Sequence, residues 1–146
     1  MRFWDTSAIV PLLVEEQSTL RMLSLAADPV PRALWWGTPV EVKAALSRRE
    51  RAREITGALV HDSLHAFRGF AQATREVSAT PALRSRAEHL VRVHPLRAAD
   101  SLQLAAALVV ADGDPAAVEF VCLDERLRQA AAREGLQLLP ESIEES

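Results

Sequence analysis

Four short apolar runs, separated by stretches in which apolar residues recur at helical spacing, organise this sequence. The short runs predict strands at 2–4, 31–36, 118–123 and 136–139. The longer stretches predict helices at 8–14, 18–27, 39–53, 84–93, 97–111 and 125–133, with at least one more helix inside 56–77. Strands separated by helices imply right-handed crossovers. We therefore expect an α/β fold with a short parallel sheet of about four strands and helices on both faces.

Residues that cap or break helices mark where the predicted helices begin and end. Ser18 can cap the second helix, and Asp28-Pro29 closes it. The segment Thr38-Pro39-Val40-Glu41 has the form of a capping box with proline at the first helical position. The sequence contains no internal repeat, low-complexity tract or Gly/Ser linker, so residues 1–146 are expected to form a single domain.

Composition places the chain among ordinary globular domains. Its 146 residues are 49% hydrophobic and 25% charged, and a chain of this length buries about two thirds of its surface without a disulfide or a structural metal. Cys122 is the only cysteine, which is typical of a reducing compartment, so we expect a cytoplasmic protein. The longest apolar run, 104–111, is far shorter than the roughly 20 residues of a membrane-spanning helix, and we expect no targeting segment.

The charge distribution does not by itself indicate nucleic-acid binding. The net charge is −3, and residues 141–146 alone carry three glutamates and no basic residue. Lys43 is the only lysine among 17 basic residues; the rest are arginines, whose planar guanidinium suits phosphate, although high-GC codon usage explains the same bias. Four arginines cluster at Arg48, Arg49, Arg51 and Arg53. They are candidate RNA contacts or, equally, part of a solvated helix face.

Three carboxylates follow predicted strands, and each has a simple local explanation. Asp5 and Asp124 stand between a strand and a helix, where either can serve as an N-cap. Glu41 is the fourth residue of the capping box described above. Taken singly, none of the three requires a functional role.

Asp100 does not fit a capping role, because apolar residues follow it along one face of the predicted helix. These are Leu104, Ala107, Leu108 and Ala111. A carboxylate on a buried face is unfavourable unless it is hydrogen-bonded, paired or bound to a metal. A salt bridge to Arg97, one turn earlier, is the structural alternative.

The four acids gain significance when they are taken together. Residues just beyond the carboxyl ends of parallel strands converge on one crevice, so Asp5, Glu41 and Asp124 should lie at one edge, where Asp100 can join them. Carboxylates crowded in this way raise one another's pKa unless a cation is present. The sequence therefore predicts a site for a hard, oxygen-preferring metal, Mg²⁺ or Mn²⁺.

Four stretches, in their order and spacing, carry a resemblance to a known family across essentially the whole chain. They are Phe3-Trp-Asp-Thr-Ser-Ala8, Val40-Glu-Val42, Leu96-Arg-Ala-Ala-Asp-Ser-Leu-Gln-Leu-Ala-Ala106 and Phe120-Val-Cys-Leu-Asp-Glu-Arg-Leu127. The chain resembles PIN-domain ribonucleases, most of all the VapC-type toxins of type II toxin-antitoxin modules. The resemblance implies a three-layer PIN fold and cleavage of RNA to 5′-phosphate and 3′-hydroxyl products.

The same resemblance implies roles for particular residues and partners. Asp5, Glu41, Asp100 and Asp124 would be the catalytic quartet that holds Mg²⁺, supported by the hydroxyl of Thr6 or Ser7. Cys122 departs from the family, which usually has serine or threonine at that position. The partners implied are RNA, a small antitoxin that directs a basic side chain at the carboxylates, and a second copy of the chain in a homodimer.

Other interpretations are weaker on the residues themselves. A response-regulator-like signalling domain also gathers acids around Mg²⁺, but it needs a lysine on a later strand, and Lys43 lies on a predicted helix. A haloacid-dehalogenase-type phosphatase needs a second acid two residues after Asp5, where Ser7 stands. A catalytically silent PIN-like binding module is disfavoured because all four acids are present.

Three further features receive structural interpretations. His61 and His65 share a helix face but lack the glutamate of a metalloprotease motif, so we expect a solvated face. Cys122 lies in an apolar strand with no local base and is expected in the core. Trp35 and Trp36 should point to opposite faces of their strand, one into the core and the other toward a helix or a partner.

Overall fold

The computed structural model describes residues 1–143, so Glu144, Glu145 and Ser146 of the acidic C-terminal run lie outside it. The described strands are β1 Arg2–Trp4, β2 Arg32–Trp35, β3 Arg75–Val77, β4 Glu119–Val121 and β5 Gln137–Leu139. The described helices are α1 Thr6–Leu13, α2 Thr19–Ala27, α3 Thr38–Arg51, α4 Gly57–Ala71, α5 Pro81–Val93, α6 Ala98–Ala111 and α7 Glu125–Arg133.

The strands form one parallel sheet in the order β3-β2-β1-β4-β5. In the centre, Phe3 of β1 is in register with Ala33 of β2 and with Phe120 of β4. The strand order reverses on either side of β1. The crevice expected at such a reversal therefore opens beyond the carboxyl ends of β1, β2 and β4.

The sheet has five strands, whereas the sequence predicted about four. The additional strand, β3, lies inside the stretch 56–77 that helical spacing assigned to helix. Only Val77 of its three residues is buried, so Arg75 and Glu76 provide no apolar run to mark a strand. β3 pairs with β2 alone, at the edge of the sheet.

Apolar side chains cover both faces of the sheet, which gives three layers. Phe3 and Phe120 stack at 5.8 Å between ring centroids on the face that α5, α6 and α7 cover. Trp4, the next residue along β1, points to the other face and packs edge-on against Phe70 of α4. This alternation confirms the predicted arrangement of helices on both faces of the sheet.

The capping predictions were partly wrong. The first helix begins at Thr6 rather than Ala8 because Asp5 is its N-cap, and the side chain of Ser18 makes no capping hydrogen bond to α2. Thr38 is the first residue of α3 rather than its cap, and Gly37 occupies the cap position. The capping box predicted for Thr38 and Glu41 therefore does not form, and both side chains are left for other partners.

All three of the structural interpretations agree with the structure. Trp35 is 6% exposed and Trp36 56% exposed, so the pair does point in opposite directions, and Cys122 is fully buried. His61 and His65 are both exposed on α4. Within residues 1–143, every helix is too short or too polar to cross a membrane.

Candidate functional site

The structure brings the four acids together at the edge predicted for them. Asp5 follows β1 and caps α1, Glu41 is in the first turn of α3, Asp100 is in the first turn of α6, and Asp124 caps α7. All four line one cavity of about 350 Å³. The local helix starts and the sheet topology thus converge on a single acidic crevice.

Asp5 is the most deeply placed of these carboxylates, with 4% of its surface exposed. Its Oδ2 accepts hydrogen bonds from the Ser7 amide at 3.1 Å and the Ser7 hydroxyl at 2.5 Å, and from the Cys122 thiol at 3.6 Å. Burial raises the pKa of Asp5 to about 6, and the charge of Asp100 adds to that rise, while the Ser7 hydrogen bonds oppose it. Asp5 is therefore both the N-cap of α1 and a buried carboxyl group whose ionised form is disfavoured.

Cys122 takes part in this arrangement even though it departs from the family pattern. Its thiol replaces the expected hydroxyl as a donor to Asp5. Burial, and then the neighbouring charge of Asp5, raise the pKa of the thiol well above its usual value. The residue remains a neutral core thiol rather than a nucleophile, as predicted.

Glu41 projects into the crevice and does not cap its own helix. Its Oε1 accepts from the Thr6 hydroxyl at 3.2 Å, and its Oε2 accepts from the side-chain amide of Gln103 at 3.2 Å. Burial raises the pKa of Glu41 to about 7, and the charge of Asp5 adds to the rise, while the Gln103 and Thr6 hydrogen bonds oppose it. Thr6 thus supports Glu41, whereas Ser7 supports Asp5.

Asp100 and Asp124 lie nearer to solvent. Asp100 is half-buried, and burial together with the charge of Asp124 raises its pKa, against the opposing effect of Arg97 and Arg126. No salt bridge joins Asp100 to Arg97 in the described chain, so the structural alternative for Asp100 is wrong. Asp124 is exposed and caps α7 by accepting from the Leu127 amide at 3.0 Å.

Two residues of this site were missed by the sequence analysis, Gln103 and Thr38. Both are completely buried, and the amide nitrogen of Gln103 donates to the Thr38 hydroxyl at 3.1 Å. The signal for Gln103 was present in the sequence: it is a polar residue three positions after Asp100, within a run of apolar residues. Thr38 was concealed by its resemblance to a capping residue.

The arginine cluster divides between two surfaces of α3. Arg48 and Arg49 line the acidic cavity, together with Glu16 and the small side chain of Ala45. Arg49 forms an ion pair with Glu16. Arg51 lines a different cavity on α3, and Arg53 lies beyond the end of the helix with a left-handed φ of 61°.

The donor set fits a hard divalent cation in its chemistry. Within residues 1–143, no group of three or more His, Cys, Asp or Glu side chains is arranged to hold a metal ion by itself. Mg²⁺ usually takes only one or two carboxylates and completes its octahedron with water and substrate phosphate. A crevice lined by carboxylates, three of them with raised pKa, meets that requirement.

Comparison with known proteins places this chain in a family. No family model matches the sequence. Ribonuclease VapC45 and ribonuclease VapC49, from two strains of Mycobacterium tuberculosis (CDC 1551 / Oshkosh and ATCC 25618 / H37Rv), are each 35% identical to the chain over 151 residues, covering 97% of the chain and 96% of the relative.

Solved structures agree with this at the level of the fold. VapC20 of Mycobacterium tuberculosis, a toxin that cleaves the sarcin-ricin loop, superposes with a TM-score of 0.67 at 20% identity, over 89% of this chain and 95% of that chain. FitAcB from Neisseria gonorrhoeae superposes with a TM-score of 0.66 at 14% identity, over 97% and 98%. The predicted α/β PIN-like fold is therefore confirmed, and the 35% identity to VapC45 and VapC49 over almost the entire length shows that this chain belongs to the VapC family of ribonucleases.

Proposed function

We propose that this chain is a Mg²⁺-dependent endoribonuclease and the toxin of a toxin-antitoxin pair, acting in the cytoplasm. The observation that carries the proposal is the single crevice in which Asp5, Glu41, Asp100 and Asp124 face one another. Burial and mutual repulsion raise the pKa of three of them. Carboxylates arranged in this way destabilise the fold unless a cation neutralises them.

Each acid has a role in this mechanism. Asp5, Asp100 and Asp124 would hold Mg²⁺, directly or through water, with Mn²⁺ as a substitute, and Glu41 would complete the set. When bound, Mg²⁺ would supply a lowered pKa for a water molecule, its orientation toward the phosphodiester and positive charge beside the phosphoryl oxygens. A carboxylate of the crevice would accept a proton from the attacking water.

Arg48 and Arg49 would guide the RNA backbone to the crevice. The cavity is lined by five carboxylates, counting Glu16, against these two arginines, so a polyanion meets an unfavourable field without additional positive charge. Arg48 lies seven residues after Glu41, about 10 Å along the helix axis. Ala45 between them leaves the path open. A phosphate adjacent to the scissile one would therefore reach the guanidinium of Arg48.

A homodimer and a small antitoxin are the proposed protein partners. VapC20 is itself a toxin. This chain exposes apolar side chains that a partner could cover: Leu20 and Leu23 on α2, and Trp36 and Val40 at the start of α3. Leu20 is 82% exposed and Val40 71% exposed, so a partner that covered them would remove apolar surface from water.

The test is RNA cleavage by the purified chain with Mg²⁺, with Mn²⁺ and with EDTA. We expect cleavage only with a divalent ion, and loss of cleavage in the Asp5→Asn variant. Asp62→Asn, which removes an exposed acid of α4 outside the crevice, is the matched control and should cleave normally. Cleavage that continues in EDTA and in Asp5→Asn would contradict the mechanism. RNA binding without cleavage in any metal would favour the silent binding module instead.

A further inference from the structure

Gln103 is a polar side chain in an apolar part of α6, and it is completely buried. The residues that follow it, 104–108, all belong to the hydrophobic core. A buried amide destabilises a protein unless its polar atoms find hydrogen-bond partners. Only one of the two polar side-chain atoms of Gln103 has a hydrogen-bond partner within residues 1–143, so a contribution to stability does not explain this residue.

The amide nitrogen of Gln103 makes all the hydrogen bonds of this side chain. Nε2 donates to Oε2 of Glu41 at 3.2 Å and to the hydroxyls of Thr6 and Thr38 at 3.1 Å each, so two protons serve three acceptors. The carbonyl Oε1 is buried and has no partner within residues 1–143. Reversing the amide would aim Oε1 at a carboxylate, and because an ionised carboxylate only accepts, Glu41 determines the orientation.

Glu41 is therefore held at both of its carboxylate oxygens. Thr6 donates to Oε1 from α1, and Gln103 donates to Oε2 from α6. Asp5 and Asp100 repel the same carboxylate from within the crevice. Without the two donors, the Glu41 side chain could rotate toward solvent and so relieve that repulsion. Glu41 is only partly buried, so little packing would prevent this rotation.

We propose that Gln103 is a positioning residue, which keeps the Glu41 carboxylate in the crevice so that it can help to hold a divalent cation. The proposal rests on the Mg²⁺ dependence proposed above. Hydrogen-bond partners one step away from a metal ligand orient that ligand, and their loss usually lowers metal affinity. An apolar residue at 103 would serve the core without an unpaired oxygen, so packing alone does not explain glutamine at this position.

The experiment compares Gln103→Met with Thr38→Val. Gln103→Met removes three hydrogen bonds from the buried network, and Thr38→Val removes one of those three. Only Gln103→Met releases Glu41, because Thr38 contacts Gln103 and makes no hydrogen bond to a carboxylate. The first readout is Mn²⁺ binding by calorimetry, independent of RNA. We expect Gln103→Met to raise the Kd for Mn²⁺ about tenfold, whereas Thr38→Val changes it less than about twofold. The second readout is the melting temperature in EDTA, which a purely structural role would change in both variants.

A double-mutant cycle shows whether Gln103 acts through Glu41. In the Glu41→Gln background, adding Gln103→Met should change the Kd for Mn²⁺ by less than about twofold. If folded Gln103→Met binds Mn²⁺ as tightly as the wild type, the proposal is overturned and Gln103 is a packing residue. If Gln103→Met does not fold, Gln103→Asn, which withdraws the amide by one methylene, provides the same test.

Failure of this inference is distinguishable from failure of the proposed function. A wild-type chain that binds Mn²⁺ and cleaves RNA, with Gln103→Met unchanged in Mn²⁺ affinity, overturns only the role of Gln103. A wild-type chain that neither binds Mn²⁺ nor cleaves RNA overturns both.

Discussion

Replacing Asp5 with asparagine should stabilise the metal-free protein at neutral and alkaline pH. Asp5 is almost completely buried, and its pKa rises from 3.8 to about 6, chiefly through desolvation. The folded chain therefore binds a proton at Asp5 more tightly than the unfolded chain does. Stability falls as pH rises through the interval from about 4 to 6, and above it the full destabilisation remains.

The magnitude follows from the size of the pKa difference. At about 1.4 kcal/mol for each tenfold change, the rise from 3.8 to about 6 corresponds to about 3 kcal/mol of lost stability above pH 7. The amide of the Asp5→Asn variant mimics the protonated carboxyl and keeps an oxygen for the Ser7 hydrogen bonds. At about 2–4 °C per kcal/mol for a chain of this size, the variant should melt about 6–12 °C above the wild type at pH 8.

The assay is thermal unfolding in EDTA between pH 4 and pH 8, for the wild type and two variants. The advantage of Asp5→Asn should shrink as pH falls and disappear near pH 4. Asp124→Asn is the matched control, because Asp124 also caps a helix but is exposed. The difference in melting temperature between Asp124→Asn and the wild type at pH 8 should be much smaller than the difference for Asp5→Asn. Two results would show that Asp5 acts mainly as a cap. One is an Asp5→Asn variant that melts below the wild type at pH 8. The other is a difference in melting temperature between Asp5→Asn and the wild type that is the same at every pH.

Three further predictions test the acidic crevice, the arginine path and the proposed protein partners. Asp100→Asn should melt about 2–4 °C higher than the wild type in EDTA, gain less from Mg²⁺ and lose RNA cleavage; a lower melting temperature in EDTA would contradict crowding at this residue. Arg48→Gln should reduce the slope of log(kcat/KM) against log[salt] by about 0.7, the value for one phosphate contact on a single strand. Arg51→Gln, on the other surface of α3, should leave that slope unchanged. Equal changes of slope in the two variants would indicate an effect of bulk charge only. Light scattering should show a homodimer, and expression from the native operon should yield a co-purifying small protein; a monomer at high micromolar concentration without such a partner would count against both.

The sequence predicted those parts of the site in which local and global signals agree. Asp5 and Asp124 each follow an apolar strand and begin a helix, so the strand pattern alone places both at one edge of the sheet. Asp100 was identified because a carboxylate that begins an apolar stripe is unfavourable unless it is hydrogen-bonded, paired or bound to a metal. The positions of these three depend on secondary structure, which periodicity reveals.

The errors arose where tertiary contacts outweigh local pattern. β3 has one buried residue, so its pairing with β2 could not be seen in its own sequence. The segment from Thr38 to Glu41 satisfies a capping rule, but in the folded chain both side chains bond to Gln103 of a distant helix. A capping pattern specifies which hydrogen bonds are available, whereas the surrounding fold decides which of them form.

The crevice combines two kinds of anchoring for its carboxylates, and they imply different tolerance to change. Asp5 and Asp124 accept hydrogen bonds from backbone amides at the starts of α1 and α7, so their positions are tied to the helices themselves. Glu41 is held by two side chains from other elements, Thr6 and Gln103. Side-chain donors can be lost by a single substitution without disturbing a helix. The geometry of Glu41 should therefore be the most easily altered feature of the crevice, and substitutions at Thr6 or Gln103 should change metal affinity with less cost in stability than substitutions that remove a helix cap.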